Sequence, residues 1–301
     1  MDKVLITGAS GFIGKRVALY FQSKGHEVLG WDCSLLSQDD PIIHNVNMLD
    51  EKAMTKELEC FEPNIIVHCA GSADVGKSIK EPICDYEGNV TITHNFLFIL
   101  HKLGLEKTRF VFLSSAGVYG NPQALPVSEQ TPINPLSPYA MHKVMCEEMC
   151  KYFAYNYGMN IKVARIFSAY GVGLRKQIFW DMYSKYKKYG RLDMFGTGNE
   201  SRDYIYVDDV INALYLLANC NSNEIVFNVA NGDEITIRKA TELFAKHMQI
   251  ENDKISFNGI IREGDPLNWQ ADISRIADLG YRKTVQIEDG IKQYCNWVRT
   301  L

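Results

Sequence analysis

The stretch VLITGASGFIG, residues 4–14, runs from an apolar segment into three glycines spaced three residues apart. Its first three residues are continuously apolar, as expected of a parallel strand that is buried on both faces of a sheet. Gly8 allows a sharp exit from that strand, and Gly11 lets the backbone come close to a pyrophosphate. Gly14 lets the helix that follows pack closely against the sheet. The stretch therefore predicts a strand, a phosphate-binding turn and a helix.

The residues after the glycines agree with a dinucleotide-binding unit. The backbone amides of Phe12 and Ile13 open the predicted helix, where they would face a bound anion. Residues 15–24 carry helical periodicity, and residues 27–32 are typical of a second strand that ends in Asp32. An acid roughly 20 residues beyond such glycines binds the ribose hydroxyls of NAD and repels the extra phosphate of NADP. We therefore predict bound NAD; the alternatives are a glycine-rich turn of another nucleotide fold and an aspartate that only caps a turn.

The composition is that of an ordinary α/β protein and gives no reason to expect a nucleic acid or a membrane as partner. The 301 residues are 46% hydrophobic and 23% charged, with a net charge of -4. Because the sequence shows neither a targeting leader nor an apolar run of about 18 residues, we expect a cytoplasmic protein. The eight cysteines form no CxxC pair and the seven histidines no HxxxH spacing, so we predict no metal site.

Segments with strand and helix patterns alternate along the chain. Further strands are predicted at residues 42–46, 64–71, 109–115 and 161–167, and helices at residues 51–60, 89–103 and 137–157. A loop is expected around Ser78 and Pro82. The alternation predicts a Rossmann-type doubly wound parallel sheet. We place the NAD-binding domain at residues 1–170 plus about 203–230, and a smaller, discontinuous α/β substrate-binding lobe at about 171–202 and 231–301.

Several predicted strands end in residues suited to a ligand, and open parallel sheets bind ligands outside the carboxyl ends of their strands. Asp50 follows the third strand, where an adenine ring would lie, and Ala70 and Gly71 leave room for a ligand at the end of the fourth. His68, inside that fourth strand, is interpreted as a packed residue. The fifth strand delivers the hydroxyl of Ser115. We therefore expect Asp50, Ala70 and Gly71 to contact the cofactor.

Tyr139 and Lys143 lie four residues apart just inside the start of a predicted helix, so their side chains share one face. A tyrosine is a poor base at neutral pH because its pKa is about 10. A neighbouring ammonium, together with the positive charge of an oxidised nicotinamide, favours the phenolate and is expected to lower that pKa. Ser115 would hydrogen-bond the same substrate oxygen. The alternative for a Tyr-x-x-x-Lys pattern taken alone is a surface pair on an ordinary helix.

In the order and spacing of its motifs the chain resembles the extended short-chain dehydrogenases/reductases, a family of nucleotide-sugar epimerases and dehydratases. The resemblance runs nearly from end to end. Its motifs are GASGFIG at 8–14, HCAG at 68–71, SSAGVYG at 114–120, YxxxK at 139–143, RIFSAYGVG at 165–173, RDYIYVDDV at 202–210 and REGDP at 262–266. The resemblance implies a Rossmann-type fold, NAD as cofactor, and a nucleoside-diphosphate sugar as the substrate held by the smaller lobe.

Carried over by position, the resemblance gives roles to three residues of the predicted reaction centre. It makes Tyr139 the acid/base, Lys143 its partner and a contact of the nicotinamide ribose, and Ser115 the hydrogen-bond donor to the substrate. The chain also departs from the family pattern here, since Ala140 and His142 stand where Gly and Ser are more usual. Neither departure removes a catalytic group.

The resemblance also implies residues that bind the nucleotide sugar. Arg202 and Arg262 match arginines that hold the nucleotide diphosphate, a role that suits planar cations facing phosphate oxygens. Phe195 matches a position that lines the base. Trp269 matches a residue that walls the sugar pocket of hexose 4-epimerases, where a bulky side chain leaves little room for an N-acetyl group. We expect Ser78 to belong to the same site.

The residues after Ser115 distinguish the reactions of the family. Related dehydratases carry an Asp-Glu pair just before Val-Tyr-Gly and sugar-acid decarboxylases carry a Glu, whereas this chain has Ala116 and Gly117. Elimination of water needs an extra acid to protonate the leaving hydroxyl. We therefore predict an NAD-dependent epimerase that inverts C4 of a nucleoside-diphosphate hexose through a transient 4-keto sugar. The alternatives are an NAD(P)H-dependent 4-keto-sugar reductase, a dehydratase, and a catalytically idle NAD-binding regulator.

Two helices predict a homodimer, as in related enzymes, because they carry apolar residues on more than one face. They lie at residues 89–103 and 144–157. The apolar residues concerned are Phe96, Phe98, Met145 and Met149. The alternative is that these side chains only pack against the sheet.

Overall fold

The computed structural model contains a seven-stranded sheet and describes residues 1–34, 42–260 and 266–301. The strands are β1 (Lys3–Thr7), β2 (Glu27–Asp32), β3 (Ile43–Asn45), β4 (Ile65–His68), β5 (Arg109–Ser115), β6 (Ile161–Ile166), β7 (Ser168–Tyr170), β8 (Leu192–Met194), β9 (Ser201–Arg202), β10 (Tyr204–Tyr206), β11 (Val226–Val229), β12 (Ile235–Thr236) and β13 (Ile255–Phe257). The helices are α1 (Phe12–Ser23), α2 (Glu51–Phe61), α3 (Val75–Lys80), α4 (Pro82–Tyr86), α5 (Ile92–Lys102), α6 (Pro138–Tyr157), α7 (Gln177–Tyr189), α8 (Val207–Asn219), α9 (Ile237–Met248), α10 (Ser274–Asp278) and α11 (Ile287–Val298).

The strand order of the central sheet is β3-β2-β1-β4-β5-β6-β11. The pairs β1–β2, β2–β3, β1–β4 and β4–β5 are all parallel. Since β2 and β4 lie on opposite sides of β1, the strand order reverses at β1, and open α/β sheets bind ligands at such a point. The predicted fold class, a Rossmann-type doubly wound parallel sheet, is confirmed.

The chain divides into two units. Unit 1 consists of Met1–Val118, Pro135–Arg165 and Ile211–Phe227, and unit 2 of Tyr119–Asn134, Ile166–Val210 and Asn228–Leu301. Apolar side chains of the central strands and of α2, α5 and α6 form the core of unit 1. Unit 2 contains the two-stranded pairs β7–β10, β9–β12 and β8–β13. The assignment of one domain to the cofactor and of the other to the sugar stays a prediction.

The segment around Ser78 and Pro82, which we expected as a loop, is helical. The Asp74 carboxylate caps α3 by accepting a backbone N–H at 2.8 Å, and Pro82 is the first residue of α4. A π-helical turn, Glu87–Thr91, follows α4 directly and leads into α5. The helix that we expected to begin at Asn89 therefore continues a helical path from further back, and Asn89 becomes an interior, buried residue.

Candidate active site

The three glycines of the first motif form a cradle in which added side chains would collide with backbone. Gly8 has φ +65°, and a Cβ there would lie 2.8 Å from the backbone nitrogen of Ala70. A Cβ on Gly14 would lie 2.1 Å from the carbonyl oxygen of Gly8. The Gly11 N–H donates to that same oxygen at 2.9 Å. The first amides of α1, at Phe12 and beyond, have no partner inside their own helix and suit an anion.

Asp32 lies at the end of β2, next to this cradle. Its two carboxylate oxygens accept the backbone N–H groups of Ser10 at 2.9 Å and Ser34 at 2.8 Å. A carboxylate offers about four acceptor sites, so ribose hydroxyls can share it. The Ser10 hydroxyl is buried without a hydrogen-bond partner within the described ranges. The cradle, the orphaned hydroxyl and the acid together fit the diphosphate and the adenosine ribose of NAD.

The other expected cofactor residues differ in what they contact. Asp50 caps α2 by accepting two backbone N–H groups at 3.0 and 3.1 Å, so its carboxylate already has a structural task. Gly71 has φ +146°, and a Cβ there would lie 2.7 Å from Asn89 Oδ1 and 3.5 Å from Lys143 Nζ. Ala70 donates its N–H to the Thr7 hydroxyl at 3.1 Å. The end of β4 is therefore close to the Lys143 ammonium.

The structure brings Ser115, Tyr139 and Lys143 together in unit 1. A Cβ on Gly117 would lie 3.3 Å from Ser115 Oγ and 4.0 Å from a ring carbon of Tyr139, so both side chains flank that position. The Ser115 hydroxyl accepts the Gly117 N–H at 3.1 Å. Lys143 Nζ lies 5.9 Å from the Tyr139 ring centroid and donates to the Leu113 carbonyl at 3.0 Å. The arrangement offers a phenol, a hydroxyl and an ammonium to one ligand.

The pKa of Tyr139 departs from the value that we expected. Burial of its hydroxyl raises the pKa to about 12, the Ser115 hydroxyl lowers it in part, and the charge of Asp85 raises it further. Burial also lowers the pKa of Lys143. In the chain alone, loss of solvation therefore sets the pKa of Tyr139, and the lowering that we expect from Lys143 together with an oxidised nicotinamide stays a prediction. A cationic ligand beside the phenol would favour the phenolate.

Two serines fix the start of α6, which carries Tyr139. The Ser137 hydroxyl caps the helix by accepting the Ala140 N–H at 3.2 Å. The Ser78 hydroxyl accepts the Tyr139 N–H at 3.1 Å and donates to the Val75 carbonyl at 2.7 Å. Ser78 is fully buried. In the structure the Ser78 hydroxyl holds the backbone of Tyr139, and the sugar contact that we expected of Ser78 stays a prediction.

A buried ion pair that the sequence analysis missed links α6 to two strands. Glu147 accepts hydrogen bonds from Arg165 Nε at 3.0 Å, from Arg165 Nη2 at 2.6 Å and from Ser114 Oγ at 2.5 Å. Glu147 lies one turn beyond Lys143, and Ser114 directly precedes Ser115. An arginine within the apolar segment of β6 was the available signal, because such a charge needs a buried partner.

His68 is a packed residue of β4, as we interpreted it. Its Nδ1 lies 2.7 Å from Thr7 Oγ1 and its Nε2 lies 3.2 Å from Thr93 Oγ1. The Thr93 hydroxyl donates its proton to the Asn89 carbonyl at 2.6 Å, so the Thr93 oxygen accepts the hydrogen bond from His68 Nε2–H. His68 Nδ1 is then the unprotonated ring nitrogen and accepts from the Thr7 hydroxyl. Burial, with a smaller contribution from the Lys143 charge, lowers the pKa of His68 to about 3. The neutral ring joins β1, β4 and α5.

Arg202 and Trp269, two of the expected substrate residues, lie close together in unit 2. The Arg202 guanidinium is 5.6 Å from the Trp269 ring centroid, and its Nη1 donates to the Ser201 carbonyl at 2.8 Å. The Trp269 indole N–H donates to the Gly120 carbonyl at 3.0 Å, and Phe167 packs against the ring at 5.7 Å. Only 8% of Trp269 is exposed. The indole is therefore held in one position.

The buried carboxylate of Asp203, the residue after Arg202, accepts hydrogen bonds from two other segments of unit 2. Asp203 accepts the N–H groups of Asn231 at 2.9 Å, Gly232 at 2.9 Å and Ala271 at 3.0 Å. Burial raises the pKa of Asp203 to about 7, against the lowering effect of the three amides. Asp203, the residue after Arg202, thus fixes Ala271, which lies two residues beyond Trp269.

The two remaining substrate residues differ in what can be described. Phe195 is partly exposed, with the Lys185 ammonium 5.1 Å from its ring centroid. Arg262 lies outside the described residues.

Metal-ligating clusters and membrane-spanning helices are both absent from the described ranges. No group of three or more His, Cys, Asp or Glu side chains there is placed to hold a metal ion. In the same ranges, no helix has the length and apolar character that a membrane crossing requires.

A glycine cradle at the point where the strand order reverses, an acid at the ribose position and a Ser–Tyr–Lys cluster define a short-chain dehydrogenase/reductase of the extended type. The model of the NAD dependent epimerase/dehydratase family matches residues 4–230. The chain belongs to this family, which confirms the resemblance, the enzyme class and NAD as cofactor.

Individual relatives and solved structures agree with this membership. A UDP-glucose 4-epimerase of Mycolicibacterium smegmatis is 30% identical over 99% of this chain and 98% of its own length. A GDP-6-deoxy-D-mannose reductase of Pseudomonas aeruginosa is 27% identical over 97% of this chain and 95% of its own. The UDP-glucose 4-epimerase of Thermotoga maritima, solved with UDP-glucose, superimposes with a TM-score of 0.90 at 25% identity, covering 99% of both chains.

Proposed function

We propose that this chain is an NAD-dependent epimerase that inverts C4 of a nucleoside-diphosphate hexose through a transient 4-keto sugar. The observation that carries the proposal is the glycine at position 117, flanked by Ser115 and Tyr139. A side chain at 117 would start 3.3 Å from the Ser115 hydroxyl and 4.0 Å from the Tyr139 ring. An acid there could protonate a leaving hydroxyl, and glycine supplies none. The cluster therefore suits oxidation and re-reduction of one carbon better than elimination.

In this proposal the chain moves one proton and orients two molecules. Tyr139, as phenolate, takes the proton of the C4 hydroxyl. It returns the proton after the 4-keto sugar has turned its other face toward the nicotinamide. Ser115 donates a hydrogen bond to the same oxygen, and Lys143 contributes positive charge beside the phenolate and binds the nicotinamide ribose. When bound, NAD supplies a reversible acceptor for the C4 hydride. Holding the reactants in this geometry is the main contribution of the protein.

The proposed cofactor contacts follow from the cradle and its surroundings. The diphosphate would lie against the start of α1, and the ribose would share Asp32 with its two backbone amides. The residues concerned are Gly8, Gly11, Phe12, Ile13, Gly14, Asp32, Asp50, Ala70, Gly71, Tyr139 and Lys143.

For the substrate we propose a UDP-hexose without an N-acetyl group. The UDP-glucose 4-epimerases to which the chain is similar support the nucleotide, and the anchored indole of Trp269 supports the restriction on the sugar. Arg202, with Arg262, would bind the diphosphate, and Phe195 would contact the base. Planar cations next to phosphate oxygens and a partly exposed ring suit these roles.

A product analysis tests the proposal. The purified protein is incubated with a panel of UDP-sugars and no added cofactor, and the products are separated and weighed by mass spectrometry. We expect an isomer of unchanged mass. Tyr139→Phe should lose at least about 100-fold in turnover and keep its bound NAD. Tyr155→Phe, on the same helix and 76% exposed, is the matched control and should keep full activity. Full activity in Tyr139→Phe would contradict the assignment.

A reductase of a nucleotide-linked 4-keto sugar is the second candidate, because the chain is also similar to a GDP-6-deoxy-D-mannose reductase. A reductase would use the same three side chains and consume one NAD(P)H for each product. The same incubation separates the candidates, since a reductase stays silent until NAD(P)H and a keto sugar are supplied. A product that has lost the mass of one water would identify a dehydratase. Tightly bound NAD without any turnover would identify a catalytically idle regulator.

We also propose that the protein works in the cytoplasm as a homodimer. All eight cysteines fall in described residues and are free thiols, a state that a reducing compartment maintains. Large apolar side chains of unit 1 are exposed on α4, α5 and α6; these are Ile83, Phe98, Met141 and Tyr152. Phe96 is in the core, and Met145 and Met149 pack against it, so of the four residues first considered only Phe98 supports pairing. Light scattering of the protein and of Phe98→Glu tests the dimer.

A further inference from the structure

Asp85 and His142 form a buried pair that the proposed mechanism does not use. His142 Nδ1 lies 2.7 Å from Asp85 Oδ2, and both side chains are buried. This distance is that of a charge-assisted hydrogen bond. The ring of Tyr86 packs edge-on against the imidazole, with centroids 5.4 Å apart. Buried charges and polar groups persist only when they are paired, and this contact pairs the Asp85 carboxylate with the His142 imidazole.

The pair lies beside Tyr139. His142 follows Tyr139 by three residues on α6, so the two side chains share a helix face. Asp85 belongs to α4, which packs on α6 together with α3. The second carboxylate oxygen of Asp85 is buried and has no hydrogen-bond partner among the residues that the structure describes. The negative charge of Asp85 therefore acts on its surroundings unless His142 is protonated.

The titratable groups that face Tyr139 come from three elements. Lys143 and Cys146 belong to α6, Ser115 to β5 and Asp85 to α4. Burial raises the pKa of the Cys146 thiol, which is therefore neutral. Asp85 raises the pKa of Tyr139 and also that of Lys143. Asp85 is thus the one anion among these groups.

We propose that the Asp85–His142 pair controls how readily Tyr139 gives up its proton, with Asp85 opposing the loss and a protonated His142 cancelling that opposition. The inference rests on the proposed role of Tyr139 as the acid/base. Asp85 and His142 act through Tyr139 and are positioning residues that do not touch the substrate. Turnover then depends on pH through Tyr139, and the pair sets the pH at which Tyr139 loses its proton.

Two variants with opposite expected effects test the proposal through the pH profile of kcat/KM. Asp85→Asn removes the anion and keeps the backbone carbonyl that accepts Asn89 Nδ2 at 2.9 Å. The acid limb of the profile should move down by about one pH unit. His142→Asn keeps a hydrogen-bond donor for Asp85 but cannot carry a positive charge. The acid limb of its profile should therefore move up by a similar amount. The double variant should match Asp85→Asn.

A second readout needs no turnover. The phenolate absorbance of Tyr139 is titrated in the NAD-bound protein, as the difference between each variant and the same variant carrying Tyr139→Phe. If the wild type turned over no nucleotide sugar, the proposed function would fail while this titration still reported on the pair. His101→Asn is the matched control, because His101 contacts Glu106 at the same 2.7 Å on a more exposed surface. It should move neither readout.

The two variants distinguish an electrostatic role from a structural one. Loss of packing would shift both variants in the same direction or only lower kcat. Shifts in one direction, or unchanged limbs and titrations, would overturn the proposal. If Asp85→Asn did not fold, His142→Asn alone would decide, because an unchanged or lowered acid limb would contradict the charge of His142.

Discussion

Replacing Glu147 with glutamine should strongly destabilise unit 1. The side chain is fully buried, and Arg165, its partner, is 2% exposed on its side chain. The substitution keeps the shape, removes the charge and turns an amide N–H₂ toward the guanidinium. Breaking one partner of a buried ion pair costs about 3–5 kcal/mol, and the Ser114 hydroxyl bond at 2.5 Å to the same carboxylate weakens as well. We expect a loss of at least about 3 kcal/mol in the free energy of unfolding.

Glu148→Gln is the matched control for this measurement. Glu148 is the next residue on α6 and pairs with Lys151 at 2.7 Å, but the two side chains are 62% and 26% exposed. An exposed pair of this kind contributes less than about 1 kcal/mol. Urea unfolding followed by circular dichroism compares both variants with the wild type. The comparison requires that the free energy of unfolding depends on urea concentration with the same slope in all three proteins. A Glu147→Gln protein within about 1 kcal/mol of the wild type would refute the reasoning.

Two further perturbations test the cradle and the buried histidine. Gly14→Ala should abolish NAD binding, measured by calorimetry, because its Cβ would lie 2.1 Å from the Gly8 carbonyl oxygen. Gly76→Ala is the control and should bind NAD normally, because its Cβ would lie at an ordinary 3.6 Å from its nearest neighbour. The pKa of His68 falls from 6.5 in the unfolded chain to about 3 in the fold, so its stabilising contribution is complete above pH 6.5 and is lost as the pH falls toward 3. In that window the free energy of unfolding should fall by up to about 1.4 kcal/mol for each pH unit. As the pH falls, the melting temperature of His68→Gln should decrease less steeply than that of the wild type. Equal slopes of melting temperature against pH would contradict a neutral His68.

Local signals in the sequence predicted much of the Rossmann unit. Residues 4–14 specify a buried strand, a tight turn and a helix through apolar runs and glycines, and each of these forms where it was expected. The helices α3 and α4 were missed because they are six and five residues long, too short for periodicity to distinguish from a loop. Their caps, Asp74 and Pro82, were the usable signals.

The reaction centre was less predictable, because its properties arise from contacts between distant residues. Asp85 and His142 are 57 residues apart, and Glu147 and Arg165 are 18 apart, so no local pattern reveals either pair. The pKa of Tyr139 depends on how completely its hydroxyl is removed from water, which spacing along a helix does not express. The hydrogen bond from the Tyr139 N–H to the Ser78 hydroxyl joins residues 61 positions apart, so no local pattern predicted it either.

The fate of the hydrogen on C4 distinguishes hydride transfer within one site from exchange with the solvent. UDP-glucose carrying deuterium at C4 is incubated with the purified protein in ordinary water, with no cofactor added, and the product is analysed by NMR. Hydride transfer to NAD and back within one site predicts a C4 epimer of unchanged mass that keeps its deuterium on C4. Deuterium lost to the solvent, or a C4 epimer that never forms, would contradict it.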